Sequence, residues 1–552
     1  MTLHRRQQGQ SLGSLTLLVW SRLVDSTQQV PDLERAKDEM HDRNLVLEGD
    51  NKFWVKLPSP FFKPGDATPY PPRQDFTNPA VRKASRIVVL VASLSETKLA
   101  NTLVTMFQRA AQPSRVFAGV VQQNRADEPD ALEELCRHLG QPLELKEAFR
   151  GRKDLHMRQS DEDAWGHGRY TPASLAACEP AARVRMHRMD VSEAKGPAYA
   201  RSQQPRLLGA AHAERDFCLQ IDAHTVFVKG WDEDLIDEWA MTQNEYAVLT
   251  TYPLGADRRD FSPEKPINDQ GRWAMPHLCK ASFEAAGVVR NSIAGAVANL
   301  QSPVFTKFWA AGLSFSRCHA ERDVPNDPGL THIFSGEEFS RAARLWTNGY
   351  DMYSPMRPYV VTFYGDDKGG RGGWVTNARQ KYQAQHRLSV LLGPRKEDRS
   401  ALRGYDLGTR RTYEDYVKLS GIDMANQRVT DTPCSVTKWT PWEPGSQPPY
   451  EMLAESPARL GLGVVPLESP DLPGEREDAA PAGQGEPPPE VGHPLPPSGP
   501  QRRDSRFLQS PGFAHASADE LQLAAVLALP GFALGCLFVR RCSQHRSGAK
   551  ST

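Results

Sequence analysis

Apolar positions in the middle of the chain follow two recurring patterns. Residues 86–92 (RIVVLVA) and 115–121 (RVFAGVV) are continuous runs rich in β-branched side chains, the pattern of strands buried on both faces of a parallel sheet. Between them Leu99, Leu103, Met106, Phe107 and Ala110 recur at helical spacing, with Ser95 placed to act as N-cap, so the segment reads as a βαβ unit. Residues 217–221 predict the next strand, residues 232–243 a helix burying Leu235, Ile236, Trp239 and Ala240, and residues 246–252 (YAVLTTY) another strand. Residues 335–348 predict a helix stopped by Gly349, and residues 359–364 a last short strand. The alternation predicts an α/β fold, a mainly parallel sheet flanked by helices. Residues 255–335 are loop-rich, with Trp273, Phe305, Phe308, Trp309 and Phe315 set among turn residues, and predict a second lobe over one sheet edge.

Outside this core the pattern fades. Residues 1–80 are polar, with prolines clustered at 58–72, and read as an N-terminal arm leading into an α/β domain at 81–400 and its extension at 401–445. Residues 12–20 follow a basic start, but are too short and interrupted to read as a signal peptide. Residues 446–515 are rich in Pro and Gly and poor in large apolar side chains, the composition of a disordered linker. Residues 516–552 hold an uncharged run at 521–539 followed by Arg540 and Arg541. As a helix that run spans about 28 Å, close to the roughly 30 Å hydrocarbon layer, so it reads as a single membrane span with a basic tail. A partner-binding apolar helix is the alternative. The balance of 67 basic and 67 acidic residues removes a nucleic-acid partner. Eight cysteines with no CxxC give neither a disulfide framework nor a zinc signature, and leave the redox compartment open.

Candidate chemistry concentrates where residues 217–224 read FCLQIDAH. An apolar strand ending in Asp222-x-His224 places a carboxylate and an imidazole on one side of an extended chain. That donor pair suits a borderline divalent cation such as Mn²⁺, with Mg²⁺ as the alternative, and leaves coordination positions for a substrate's phosphates. The bland reading is a surface turn in which Asp222 caps and His224 is merely exposed. Upstream, Gly196 and Pro197 precede Arg201, a permanent cation suited to a phosphate or else a solvated helix residue. Ser335-Gly-Glu-Glu338 fits a capping box, which would make Glu338 a cap and leave Glu337 for substrate.

Six ordered segments give the chain a family likeness: VVLVAS (88–93), RVFAGVVQQN (115–124), KGPAYARS (195–202), LQIDAHTVFVKGWDEDLI (219–236), DVPNDPGL (323–330) and FSGEEFSRAARLWTNGYDMYSP (334–355). Together they resemble the GlcNAc-transferase family of GT-A glycosyltransferases, over about residues 87–364. The characterised member of that family adds GlcNAc to a hydroxyproline of a ubiquitin-ligase adaptor. The resemblance implies a GT-A-like, Rossmann-related fold and a UDP-sugar donor whose diphosphate meets a cation held by Asp222 and His224. It places Ser93, Gly196, Pro197 and Arg201 along the donor and Glu337 and Glu338 near the sugar or the acceptor hydroxyl. Trp346 would support that wall, with core packing as its alternative, and the reaction would proceed with retention.

The chain departs from the family twice. Residues 94–97 (LSET) replace a Tyr-Arg-Asp-like turn, and residues 361–364 (VTFY) lack the His that completes the family's metal site, leaving Asp366 or His332 as substitutes. Expected, therefore, is a metal-dependent glycosyltransferase acting on a protein hydroxyl, with a lapsed, membrane-tethered binding protein as the alternative. A C-terminal span without a signal peptide puts the catalytic domain in the cytosol, as in the characterised relative. Arg540 and Arg541 on the cytosolic side would instead put it in a lumen.

Overall fold

The computed structural model describes residues 45–48, 53–56, 84–151, 166–208, 215–256, 274–284, 287–292, 295–364, 376–393, 398–430, 432–435, 439–446, 456, 457 and 460. The C-terminal apolar run and nearly all of the Pro-rich linker lie outside them, and among the described residues no helix is long and apolar enough to cross a membrane.

Eight strands form the central sheet: β1 (Ile87–Leu94), β2 (Val116–Asn124), β3 (Val184–Asp190), β4 (Phe217–Asp222), β5 (Ala247–Thr250), β6 (Val304–Phe305), β7 (Leu313–Arg317) and β8 (Asp351–Ser354). Their spatial order is β6-β8-β5-β7-β4-β1-β2-β3. β1 pairs in parallel with β2 and β4, which is why its apolar run is unbroken: Ile87, Val89, Leu90 and Val91 are fully buried. Helix α1 (Leu99–Arg109) lays Leu99, Leu103, Met106 and Phe107 on this core. It starts after Lys98, not at Ser95, whose backbone is left-handed and whose hydroxyl donates to Glu128 Oε2 at 2.8 Å. Helix α2 (Pro197–Ser202) follows β3, α3 (Trp231–Met241) follows β4, and α4 (Glu337–Thr347) leads into β8. α5 (Ala378–Leu392) sets Ala384 and Leu388 beside Leu330, Ile333 and Ala198.

The sheet is mixed where the sequence predicts mainly parallel pairing. β7 runs antiparallel to both β4 and β5, and β6 antiparallel to β8. β7 comes from the segment expected to form a separate loop-rich lobe, and its sequence, LSFSR, hides it because its polar residues are buried against partners from elsewhere in the chain. Trp309 Nε1 donates to Ser314 Oγ at 2.8 Å, and Arg317 pairs with Glu245 at 3.1 Å with its guanidinium 4.3 Å from the Phe217 ring centre. β3 (VRMHRMD) escapes a hydrophobicity pattern for the same reason, its Arg188 neutralised by Asp130.

Two further expectations change. The N-terminal arm is not all arm: strands Leu45–Glu48 and Phe53–Lys56 pair with each other, and the first also pairs with Gly295–Ala298, burying Leu45 and Val46. Six of the eight cysteines form disulfides, Cys136–Cys178, Cys218–Cys318 and Cys279–Cys434. Partners 42 to 155 residues apart leave no local spacing signal. The last bridge fastens the 401–445 extension to the domain.

Candidate active site

The parallel strands β1, β2 and β4 end on one edge of the sheet, where ligands of α/β folds bind. Register places Asp222 beside Ala92, and Ser93 beside Gln122. The turn after Asp222 is fixed from two sides. Thr102 of α1 donates to Ala223 O at 2.9 Å and accepts from Thr225 N–H at 3.0 Å, while Thr225 Oγ1 donates to Asp222 O at 2.7 Å. Strand Val360–Thr362 pairs with Thr225–Phe227, and Phe363 N–H donates to His224 O at 3.0 Å. Asp222 therefore belongs to a held strand end and does not cap a surface turn.

Arg201 joins two carboxylates. One Nη1 reaches both Glu337 oxygens at 2.9 Å, and Nη2 reaches Asp222 Oδ1 at 2.9 Å. Burial alone would lower its pKa; Glu337 and Asp222 outweigh burial and hold the guanidinium more firmly charged. Gly196, with φ near +96°, and Pro197 open the short helix that carries Arg201. The sequence offered this cation to a phosphate, whereas the structure gives it two carboxylate partners and leaves that triad with a net negative charge.

The two adjacent glutamates have different surroundings. α4 starts after Gly336, whose φ is +94°, so Ser335 does not cap it and the capping-box account of Glu338 is set aside. Glu337 is 3% exposed and closed on Arg201, not left for substrate. Glu338 stays partly open to solvent: its Oε1 accepts Ala311 N–H at 3.0 Å, and its Oε2 accepts Tyr252 OH at 2.5 Å and Asn291 Nδ2 at 3.2 Å. Burial pushes its carboxyl up to about 7 against the lowering pull of Tyr252 and Ala311. Tyr252, Asn291 and Ala311 were not legible in the sequence, because an isolated Tyr, Asn or backbone amide carries no motif. Tyr364, from the segment that lacks the family's His, donates to Pro253 O at 2.9 Å; burial, Asp222 and Glu338 raise its pKa.

His224 Nδ1 lies 3.1 Å from Glu96 Oε2, in the LSET turn that departs from the family. A carboxylate accepting from Nδ1–H selects the tautomer with a lone pair on Nε2, the usual outer support of a metal-binding histidine. Asp222 Oδ2 faces Gly312, where a Cβ would come to 3.4 Å of it. This donor chemistry, with the space that a glycine preserves, fits a divalent cation held by Asp222 and His224 and completed by substrate oxygens. Among the described residues no three His, Cys, Asp or Glu side chains gather as ligands. His332 spends Nε2 on Gln380 Oε1 at 2.7 Å, and Asp366 lies outside the described residues.

Ser93 is 3% exposed, and among the described residues neither its Oγ nor Gln123 Oε1 has a partner, so the strand ends present unused polar atoms. Trp346 is core: its ring lies 5.6 Å from Tyr416 and 4.9 Å from the Arg411 guanidinium.

A family model described as Glycosyltransferase (GlcNAc) matches residues 86–426, more than half of the chain. The chain belongs to this glycosyltransferase family. Its match takes in Ser93, Arg201, Asp222, His224, Glu337 and Glu338, and ends within the C-terminal extension. No curated protein matches the chain. Similar solved structures include GalNAc-T7 with UDP, GalNAc and Mn²⁺, at 13% identity over 60% of this chain and 56% of that one, TM-score 0.36. TarS 1–349 of S. aureus in complex with UDP-GlcNAc is 11% identical over 58% of this chain and 70% of that one, TM-score 0.29. The mannosyltransferase PcManGT from Pyrobaculum calidifontis in complex with GDP-Man and Mn²⁺ is 13% identical over 52% of this chain and 58% of that one, TM-score 0.27. The chain thus spans little more than half the length of GalNAc-T7.

Proposed function

We propose that this glycosyltransferase has a GT-A-like site and moves GlcNAc from UDP-GlcNAc to a hydroxyl of a protein acceptor, hydroxyproline being one such group, with retention at the anomeric carbon. One observation carries the reading: the end of β4 sets Asp222 and a carboxylate-supported His224 on the edge of the sheet where Glu338 also stands. A divalent cation, Mn²⁺ or Mg²⁺, held by Asp222 and His224 would supply the positive charge that a departing diphosphate needs. Arg201 keeps Asp222 and Glu337 in place by ion pairs. Ser93 offers a hydroxyl to the nucleotide, and the Gly196–Pro197 turn brings α2 beside it. Glu338 accepts a hydrogen bond from a hydroxyl of the sugar or the acceptor, and alignment of that oxygen with the anomeric carbon does the rest.

The two-residue metal grip also supports a second reading, a non-catalytic relative that retains the fold as a binding module. UDP release from UDP-GlcNAc by the full chain, with and without Mn²⁺, separates the two. Wild type should release UDP only with Mn²⁺, and Asp222→Asn should lose on the order of a hundred-fold in rate. Absence of release with every UDP-sugar and acceptor tried, or release indifferent to metal, favours the binding module. We further propose a single-pass membrane protein, anchored by residues 521–539, with the domain in an oxidising lumen and not in the cytosol. Three disulfides support that orientation.

A further inference from the structure

Four segments far apart in the chain converge on Glu338. Tyr252 follows β5, Asn291 lies in the hairpin of Lys280–Phe283 with Val289–Ser292, Ala311 precedes β7, and Glu338 opens α4. An ionised carboxylate offers about four acceptor positions. Here Oε2 takes two donors, Tyr252 OH and Asn291 Nδ2, and Oε1 takes one, Ala311 N–H. Asn291 is itself anchored, donating to Trp309 O at 2.8 Å. Pro253, next to Tyr252, is pinned by Tyr364 OH. The other charged neighbours are Glu337, which raises the Glu338 pKa, and Arg201, which lowers it. Asn291 and Ala311 are each 6% exposed, while Tyr252 shares with Glu338 a partial opening to solvent.

We propose that Tyr252 and Asn291 are positioning residues: they fill Oε2 of Glu338 and leave one acceptor position, on Oε1, for a hydroxyl of the sugar or the acceptor. The inference deepens the reading of Glu338 as a carboxylate in contact with substrate and rests on it. Each donor favours the ionised form, so removing one must make Glu338 easier to protonate.

The test is UDP release from UDP-GlcNAc in Mn²⁺ by the full chain, followed from pH 5.5 to 9, for wild type, Tyr252→Phe, Glu338→Gln and the double variant. Tyr252→Phe should move the acid limb of kcat upward by about one pH unit, a loss of about ten-fold at pH 6 that shrinks to less than about three-fold at pH 9. In the Glu338→Gln background Tyr252→Phe should leave the pH profile unchanged. A loss uniform across pH, or an acid limb that still moves without Glu338, would overturn the positioning role and leave the sugar-transfer reading standing. If wild type releases no UDP at any pH, both fall together. Should Tyr252→Phe fail to fold by thermal melting, Asn291→Ala carries the same comparison.

Discussion

Glu337 and Glu338 are neighbours in sequence with opposite tasks. The first is a closed half of an ion pair; the second is a partly open carboxylate held by neutral donors. Glu337→Gln should leave Arg201 paired with Asp222 and cost about 1.5–3 kcal/mol, the usual worth of hydrogen bonds to a charged group, seen as a lower melting temperature. Glu338→Gln should instead keep the fold and lose on the order of a hundred-fold in UDP release. Its stability should also differ in its pH dependence. Burial raises Glu338 to about 7, above the value of an exposed carboxyl, so its protonated form is favoured in the folded state. The stability this gives is fully present below about pH 4.5 and is lost as pH rises through about 7. Melting curves should therefore show Glu338→Gln gaining on wild type between pH 5 and pH 8.

At the scale of elements, the site depends on short connections more than on helices and strands. The segment before β7 serves Glu338 through Ala311 N–H and Asp222 through the bare Cα of Gly312. A Cβ at residue 312 would meet Pro253 Cδ at 2.9 Å and Asp222 Oδ2 at 3.4 Å, so something there must shift. Gly312→Ala should weaken UDP binding in Mn²⁺ several-fold by calorimetry, with about 1–3 kcal/mol of overpacking cost in a thermal melt. Unchanged affinity would mean that the space beside Asp222 has no part in binding. The strand β7 behind this loop was the main element hidden from the sequence. Leu313 and Phe315 alternate with two serines, but the segment is only five residues long and all five are buried, the polar ones against partners such as Trp309, Glu245 and Phe217 that lie elsewhere in the chain.

For the whole molecule, three disulfides tie together parts that the chain brings from far apart. Cys279–Cys434 closes a separation of 155 residues and holds the C-terminal extension, so Cys434→Ser should cost about 2–5 kcal/mol. Thermal melts with and without reductant check this: the wild type should fall toward the variant when reduced. In cells, protease protection of the domain in sealed membranes would agree with a lumenal site. Digestion of the domain from the cytosolic side would reverse the proposed orientation.

The sequence by itself determined the α/β class, four of the strands in the central sheet, and the helices that carry Leu103, Trp239 and Phe339, because apolar period is a local property that each segment reports without its neighbours. It also put forward Asp222, His224, Arg201 and the two glutamates as a candidate set, because a strand ending in Asp-x-His, with the other segments in a fixed order, resembles a family's signature. Tertiary structure alone decided which charge meets which. Arg201 closing on Glu337 and Asp222, Glu96 supporting His224, and Tyr252 with Asn291 holding Glu338 are all contacts across long sequence separations. Hydrogen bonds and ion pairs depend on ångström distances in space, which no pattern along the chain encodes.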